Sequence, residues 1–112
     1  MNLQEFVVTI QGKVLTKDVD LSQTIKGGYV SDLLSDVMGN AQEGQVWITI
    51  MRHLNVVAVA SLANVAAITF PKGYLPEDVV IQKAQQVGIP LISTELETFE
   101  VSGILYRELN KS

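Results

Sequence analysis

Residues 66–93 read A-A-I-T-F-P-K-G-Y-L-P-E-D-V-V-I-Q-K-A-Q-Q-V-G-I-P-L-I-S, and this stretch decides the fold. The run Ala66–Phe70 is short and apolar, which predicts a buried strand. Pro76 marks the first position of a predicted helix, and Gly88 marks its end. Leu91–Ser93 then predicts a second strand. A strand, a helix and a strand in this order predict two parallel strands with the helix packed on one face of the sheet.

The same alternation continues on both sides of this unit. Further strands are predicted at Thr24–Lys26 and Gln45–Ile50. Helices are predicted within Tyr29–Gly39, from Asn55 to about Asn64, and from about Leu96 to Leu109. Repeated alternation of strand and helix is typical of a parallel sheet with helices on its faces. The sequence therefore predicts an α/β fold, a three-layer a/b/a sandwich around a mostly parallel, mixed sheet of about five strands.

Local signals indicate where these helices begin. Ser31 is a candidate N-cap, and Asp32 suits the positive end of a helix dipole. Asn55 is a candidate cap for the next helix. The spacing Thr94-x-x-Glu97 predicts a capping box for the last helix.

The N-terminal segment is less decided. Apolar residues recur at helical spacing through Leu3–Ile10, but the same residues also fit the alternation of a strand. We predict a short helix that ends at Gly12, with a strand as the alternative. Lys13–Thr16 predicts a short strand that supplies the one antiparallel pair. Residues 1–112 are expected to form a single domain.

Composition excludes several classes of protein. The 112 residues have a formal net charge of -4, with 47% hydrophobic and 18% charged residues, so the chain is not disordered. The absence of cysteine excludes a disulfide framework and a thiol nucleophile. No basic patch, signal peptide or membrane-spanning stretch is evident, which predicts a cytoplasmic protein that binds neither nucleic acid nor membrane. A mean hydropathy of +0.26 is high for a small monomer and favours a homo-oligomer, most simply a homodimer.

Ligands of open α/β sheets bind beyond the carboxyl ends of the parallel strands. The loops expected there contain seven candidate ligand-binding residues: Gly27, Gly28, Tyr29, Arg52, His53, Lys72 and Thr94. Arg52, His53 and Lys72 would favour a small anionic ligand. Plainer roles remain open, because a glycine pair is commonly a turn, Thr94 a helix cap, and the basic residues solvated side chains.

No catalytic or metal-binding motif accompanies these residues. The chain has no P-loop, no dinucleotide-binding fingerprint and no nucleophile elbow, and its single histidine cannot build a multi-histidine metal site. We expect no catalytic residue, no metal and no cofactor. The remaining enzyme hypothesis uses His53 as a general base, oriented by Asp32 or Glu95. Trp47 is expected in the core or in a dimer interface.

Three blocks of the sequence resemble the DRTGG domain family. They are G-G-Y-V-S-D-L-L-S-D-V-M at 27–38, V-V-A-V-A-S-L at 56–62, and A-x-x-x-G-I-P-L-I-S-T at 84–94 followed by T-F-E at 98–100. The resemblance covers about residues 24–107. That family is similar to the N-terminal domain of HPr kinase/phosphorylase, a non-catalytic α/β domain, and its members also occur beside CBS domains.

The resemblance implies a regulatory or assembly role, an a/b/a sandwich, oligomerisation and no catalysis. Two loops depart from the family pattern. After Ile50 the family would place a sequence like Gly-Asp-Arg, and this chain has Met-Arg-His, so only Arg52 is comparable. After Phe70 the family would place Thr-Gly-Gly, and this chain has Pro-Lys-Gly. Because Pro and Lys carry side chains where the family has small residues, the backbone of this loop is less able to come close to a phosphate.

Two functions follow from the sequence as leading hypotheses. The first is a non-catalytic regulatory or interaction domain that forms homo-oligomers. The second is a sensor domain that binds an anionic metabolite or nucleotide at the strand-end loops. The first hypothesis assigns the function to a surface for self-association, and the second assigns it to the strand-end loops.

Overall fold

Short apolar runs form the strands, and each run ends at a turn signal. The computed structural model describes residues 1–111. The strands are β1 (Lys13–Val14), β2 (Gly27–Val30), β3 (Gln45–Ile48), β4 (Ala67–Phe70) and β5 (Leu91–Ser93). The helices are α1 (Leu3–Thr9), α2 (Leu34–Asn40), α3 (Asn55–Ala63), α4 (Asp78–Val87) and α5 (Thr98–Leu109).

The five strands form one sheet in the order β1-β5-β4-β3-β2. Strands β2, β3, β4 and β5 are parallel to one another. The edge strand β1 is antiparallel to its neighbour β5. This confirms the predicted mixed sheet of five strands with one antiparallel pair. Strand β2 is an edge strand, so one of its sides has no partner strand among the described residues.

Helices cover both faces of the sheet. Trp47 and Ile68 face one side, where they share a core with buried residues of α2, α3 and α4. Ile48 and Ile92 face the other side, where they pack with α1 and α5. The three-layer sandwich is therefore confirmed. Within residues 1–111, no helix has the length and apolar character needed to cross a membrane.

The N-terminal segment is a helix, as predicted, but it ends at Thr9 and not at Gly12, and the strand alternative is wrong. Its start is fixed by a capping box: the Asn2 side chain accepts a hydrogen bond from the Glu5 N–H at 2.8 Å, and the Glu5 carboxylate accepts one from the Asn2 N–H at 2.9 Å. Gly12 follows the helix where the chain passes close to β5. A Cβ atom at Gly12 would lie 3.0 Å from Ile92 Cγ2. A side chain at residue 12 would therefore press on the core.

The prediction for residues 24–39 is wrong in its boundaries. The strand lies at Gly27–Val30, not at Thr24–Lys26, and Thr24 makes only an isolated bridge with Asn2. Because Tyr29 and Val30 belong to β2, the helix begins later than predicted, at Leu34. Ser31 is consequently not its N-cap, although the Ser31 hydroxyl accepts a hydrogen bond from the Leu33 N–H at 3.2 Å.

Three other helix starts differ from the prediction by one to two residues. Asn55 is the first residue of α3 rather than its cap. Helix α4 begins at Asp78, so Pro76 precedes it instead of opening it. Helix α5 begins at Thr98, and the Glu97 N–H donates to the Glu100 carboxylate at 3.0 Å. The predicted box of Thr94 with Glu97 is wrong because the residue that closes the turn is Glu100.

Candidate functional site

The loops that follow β3 and β4 meet at the carboxyl end of the sheet and enclose a cavity of about 420 Å³. The cavity is lined by Ile50, Met51, Arg52, His53, Leu75 and Glu77. Arg52 and His53, which are neighbours in the sequence, were predicted for a site at this edge, and both line the cavity. Leu75 and Glu77 were missed, because only the path of the loop after β4 places them opposite Arg52.

Arg52 lies over an aromatic ring from the neighbouring loop. Its guanidinium carbon lies 4.6 Å from the centroid of the Tyr74 ring, which is the geometry of a cation–π contact. Glu77 adds a negative charge to the same cavity. The cavity therefore combines one cation, one carboxylate, a histidine and apolar walls.

Lys72 lies at the tip of the loop after β4, outside the lining of this cavity. Lys72 and Gly73 both have positive φ angles, of 62° and 71°, and the Tyr74 N–H donates to the Pro71 carbonyl at 3.2 Å. The Lys72 ammonium lies 3.7 Å from a Glu97 carboxylate oxygen. Both partners of this pair are exposed, so the pair contributes little stability and leaves Lys72 free to exchange partners.

Asp32 connects the loop after β2 to the loop after β3. Its Oδ1 atom accepts hydrogen bonds from the Thr49 hydroxyl at 2.8 Å and from the Ile50 N–H at 3.0 Å. The Thr49 hydroxyl in turn accepts one from the Met51 N–H at 3.1 Å. Asp32 thus fixes the backbone that presents Arg52. The prediction that Asp32 lies at the start of a helix is wrong, because α2 begins at Leu34.

Thr94 lies at the carboxyl end of the sheet, as predicted, but it is buried. Its hydroxyl donates a hydrogen bond of 2.7 Å to the carbonyl of Ile10, and it accepts one of 3.2 Å from the Leu96 N–H. The first bond fastens the end of α1 to the residue after β5, and the second fixes the turn that follows β5. Thr94 is therefore engaged in structure and does not face the cavity.

The glycine pair and Tyr29 belong to strand β2 and not to a loop at the carboxyl end of the sheet. Gly27 pairs with Gln45, the first residue of β3, so it lies at the opposite end of these parallel strands. A Cβ atom at Gly28 would lie 2.7 Å from Leu105 Cδ2. The glycine at residue 28 thus permits α5 to pack closely on β2, which gives it a packing role instead of the predicted loop role.

Tyr29 is bonded to helix α2. Its hydroxyl donates to Asp36 Oδ2 at 2.9 Å, and this bond to a carboxylate is the main reason that the pKa of Tyr29 is raised. The hydroxyl of Ser31, followed by that of Tyr29, lowers the pKa of the Asp36 carboxyl. Tyr29 therefore ties β2 to α2 rather than contributing to the cavity.

A second cavity, of about 600 Å³, adjoins the first and shares His53 with it. It runs between α3 and α4 and is lined by His53, Leu54, Asn55, Ala58 and Lys83. Lys83 could not be predicted from the sequence, because it reaches this cavity only through the packing of α4 beside α3. Across residues 1–111, no group of three or more potential metal-ligating side chains occurs.

A sequence-family model identifies the family to which the chain belongs. A model of the DRTGG domain matches residues 5–107. The chain belongs to the DRTGG domain family. The match begins well before residue 24, so α1 and β1 are part of the DRTGG domain and not an addition to it. No curated protein sequence matches the chain.

A solved structure shares this DRTGG fold. It contains the CBS and DRTGG domains of the regulatory region of Clostridium perfringens pyrophosphatase, complexed with the activator diadenosine tetraphosphate. The TM-score is 0.71 at 17% sequence identity, and the match covers 92% of this chain. This chain spans 45% of the length of that chain. At this identity the similarity establishes the fold.

Proposed function

We propose that this DRTGG domain is a non-catalytic regulatory or interaction domain that associates with itself. One observation carries the proposal: two of the polar side chains at the carboxyl end of the sheet, Asp32 and Thr94, are used to hold the fold. Asp32 and Thr94 bond to backbone and side chains of neighbouring loops, and Arg52 stacks on Tyr74. Catalysis needs groups at this edge that face a substrate.

The context of the related domain supports the same role. The DRTGG domain of the clostridial pyrophosphatase belongs to a regulatory region. The likeness to the N-terminal domain of HPr kinase/phosphorylase, and a cytoplasmic location, remain parts of the proposal. His53 forms no hydrogen bond or ion pair with Asp32 or Glu95 in the described part of the chain, which weighs against the general-base hypothesis.

Sedimentation equilibrium tests the self-association. We expect the average mass of the protein to rise above that of the monomer as its concentration increases from about 5 µM to about 500 µM, because exposed apolar surface favours association. An average mass that stays at the monomer value over the whole range would contradict this part of the proposal.

A second candidate function is the binding of a small anionic ligand, such as a nucleotide, in the cavity of 420 Å³. Arg52 favours it, because a guanidinium held against a tyrosine ring can pair with a phosphate and stack with a base. Glu77 partly offsets that charge within the cavity. Lys72 and His53 would then extend the positive side of the site toward the loop after β4 and toward α3.

Thermal unfolding in the presence of ATP, diadenosine tetraphosphate or inorganic phosphate tests this second function. A ligand at about 100 times its dissociation constant stabilises the folded state by about 2.7 kcal/mol, which raises the Tm. We expect Arg52→Ala to abolish that increase, and the control Lys13→Ala, at an exposed lysine of β1, to retain it. If no compound raises the Tm of the wild-type protein, the cavity is not an anion site.

A further inference from the structure

The outer face of α5 exposes two aromatic rings to water. Phe99 is 88% exposed and Tyr106 is 73% exposed, whereas Val101 and Leu105 on the opposite side of the helix are buried against the sheet. Residues seven apart lie on the same side of a helix, so the two rings form one stripe. Phe99 has the largest exposed fraction among the large apolar side chains of residues 1–111.

Gly103 lies between the two aromatic residues on this stripe. A Cβ atom there would have no heavy atom within 4 Å, so nothing in the described chain requires a glycine. Glycine in the interior of a helix is less favourable than alanine. The exposed position of Gly103 therefore gives a surface that another helix could approach closely.

The charges of α5 are arranged so that the helix complements itself in the antiparallel direction. The start of the helix is acidic, with Glu97 at the N-cap and Glu100 in the first turn, whereas its end has a net positive charge, with Arg107 and Lys111 on either side of Glu108. Among residues 1–111, Arg107 and Lys111 pair only with Glu108 at the surface, at 3.6 Å and 3.0 Å. Such exposed pairs are weak and can rearrange.

We propose that a second copy of this chain docks on the outer face of α5, with the two α5 helices antiparallel and a two-fold axis near Gly103. This inference rests on the self-association in the proposed function and names the surface that performs it. In this arrangement Phe99 of each copy packs beside Tyr106 of the other. The acidic turn of each helix lies near the basic end of its partner, as a symmetric interface of identical surfaces requires.

A groove beside Tyr106 completes the interface. It has a volume of about 210 Å³ and runs between α5 and the edge strand β2. Its lining is mostly apolar and consists of Gly28, Val30, Ser102, Leu105, Tyr106 and Leu109. Four aromatic rings of about 150–250 Å² each bury about 600–1,000 Å² in all, which is less than the area of a standard stable interface. We therefore expect a reversible dimer in the micromolar range.

Introduced cysteines test the position of the axis, because the chain has no cysteine of its own. We expect Gly103→Cys to form a covalent dimer under mild oxidation, since the two sulfur atoms lie close together near a two-fold axis. The matched control is Gly39→Cys, at a helical glycine of α2 that also has free space around its Cβ position and that we expect to remain uncrosslinked.

Substitutions on the stripe test the contacts by sedimentation equilibrium. We expect Phe99→Glu to raise the dissociation constant of the dimer at least 100-fold, and Leu62→Glu, at an exposed leucine of α3, to leave it unchanged. Glu100→Lys and Arg107→Glu should each weaken the dimer, and the two together should restore it, because each acidic turn faces a basic end.

The outcomes separate this inference from the proposed function. If the wild-type protein self-associates but Phe99→Glu and Gly103→Cys behave like their controls, the α5 surface is wrong and self-association stands. If Phe99→Glu disrupts the dimer but the paired charge exchange fails to restore the association that each single charge variant weakens, the antiparallel arrangement is overturned. If the wild-type protein is monomeric throughout, both are overturned, and the stripe is left for a different partner.

Discussion

Replacing Trp47 by alanine is expected to lower the free energy of unfolding by about 3–5 kcal/mol. The side chain is fully buried in β3, where it packs with Val57 and Ile68 under the helices α2, α3 and α4. Its ring N–H also donates a hydrogen bond of 2.9 Å to the carbonyl of Ser31. Because domains of this size have a total stability of about 5–15 kcal/mol, the variant should be close to unfolding at 37 °C.

Urea unfolding followed by far-ultraviolet circular dichroism measures this effect, because the variant lacks the only tryptophan and has no comparable fluorescence signal. Trp47→Phe separates the two contributions: it keeps an aromatic ring and removes the N–H donor to Ser31, and we expect a loss of about 1–3 kcal/mol. Tyr106→Ala is the control, since an exposed aromatic should change stability by about 0.5 kcal/mol or less in the monomer. A loss below about 1 kcal/mol for Trp47→Ala would show that the tryptophan does not fill the core.

The position of Trp47 also links the core to the candidate site. The hydrogen bond to the Ser31 carbonyl ties β3 to the loop after β2, and the next residue of that loop, Asp32, bonds to Thr49 and Ile50. The backbone that presents Arg52 is therefore held by a buried ring and a buried hydroxyl. The sequence predicted that Trp47 lies in the core or in a dimer interface. Because Trp47 is fully buried within a single chain, it belongs to the core.

Elements with local stop signals could be predicted from the sequence. Gly88 and Asn64 end α4 and α3 in the left-handed conformation, at φ angles of 78° and 58°, and both ends were predicted. Here the conformation of a single residue fixes the boundary. The β5 strand follows directly from Pro90, and it was predicted at the residues where it lies.

Elements that depend on distant contacts could not be predicted. Gly27 and Gly28 suggested a turn because glycine is common where φ is positive, yet both residues have ordinary extended backbone in β2. Their position is set by pairing with β3 and by the approach of α5, which lies about seventy residues later in the sequence. Thr94 likewise bonds to Ile10, which is 84 residues away.

The candidate site shows the same division. Arg52 and His53 were predicted because they follow a buried strand, and all parallel strands end at one edge of the sheet. Glu77 and Tyr74 come from a different loop, and their approach to Arg52 depends on the turn at Lys72 and Gly73. The spacing of residues in the sequence does not indicate how this loop turns, so the presence of the Glu77 carboxylate in the cavity could not be predicted.

Replacing Gly28 by valine is expected to destabilise the protein by about 1–3 kcal/mol. The added Cβ atom would lie 2.7 Å from Cδ2 of Leu105, whose side chain is 2% exposed and cannot move without disturbing the core between α5 and the sheet. Shortening the opposing side chain should relieve this overlap. We therefore expect the double variant with Leu105→Ala to lose less stability than the sum of the two single variants, which indicates direct contact.

Gly27→Val is the matched control, because it adds the same side chain to the same strand one residue earlier. A Cβ atom there meets only the flexible Gln45 side chain, at 3.4 Å, and valine favours extended backbone, so we expect no loss of stability. Urea unfolding at a concentration below dimer formation provides the comparison. If the glycines served a ligand loop, the two variants would be equally stable and would both lose ligand binding. Equal stability of Gly27→Val and Gly28→Val would therefore contradict the packing role, whereas a selective loss at residue 28 supports it.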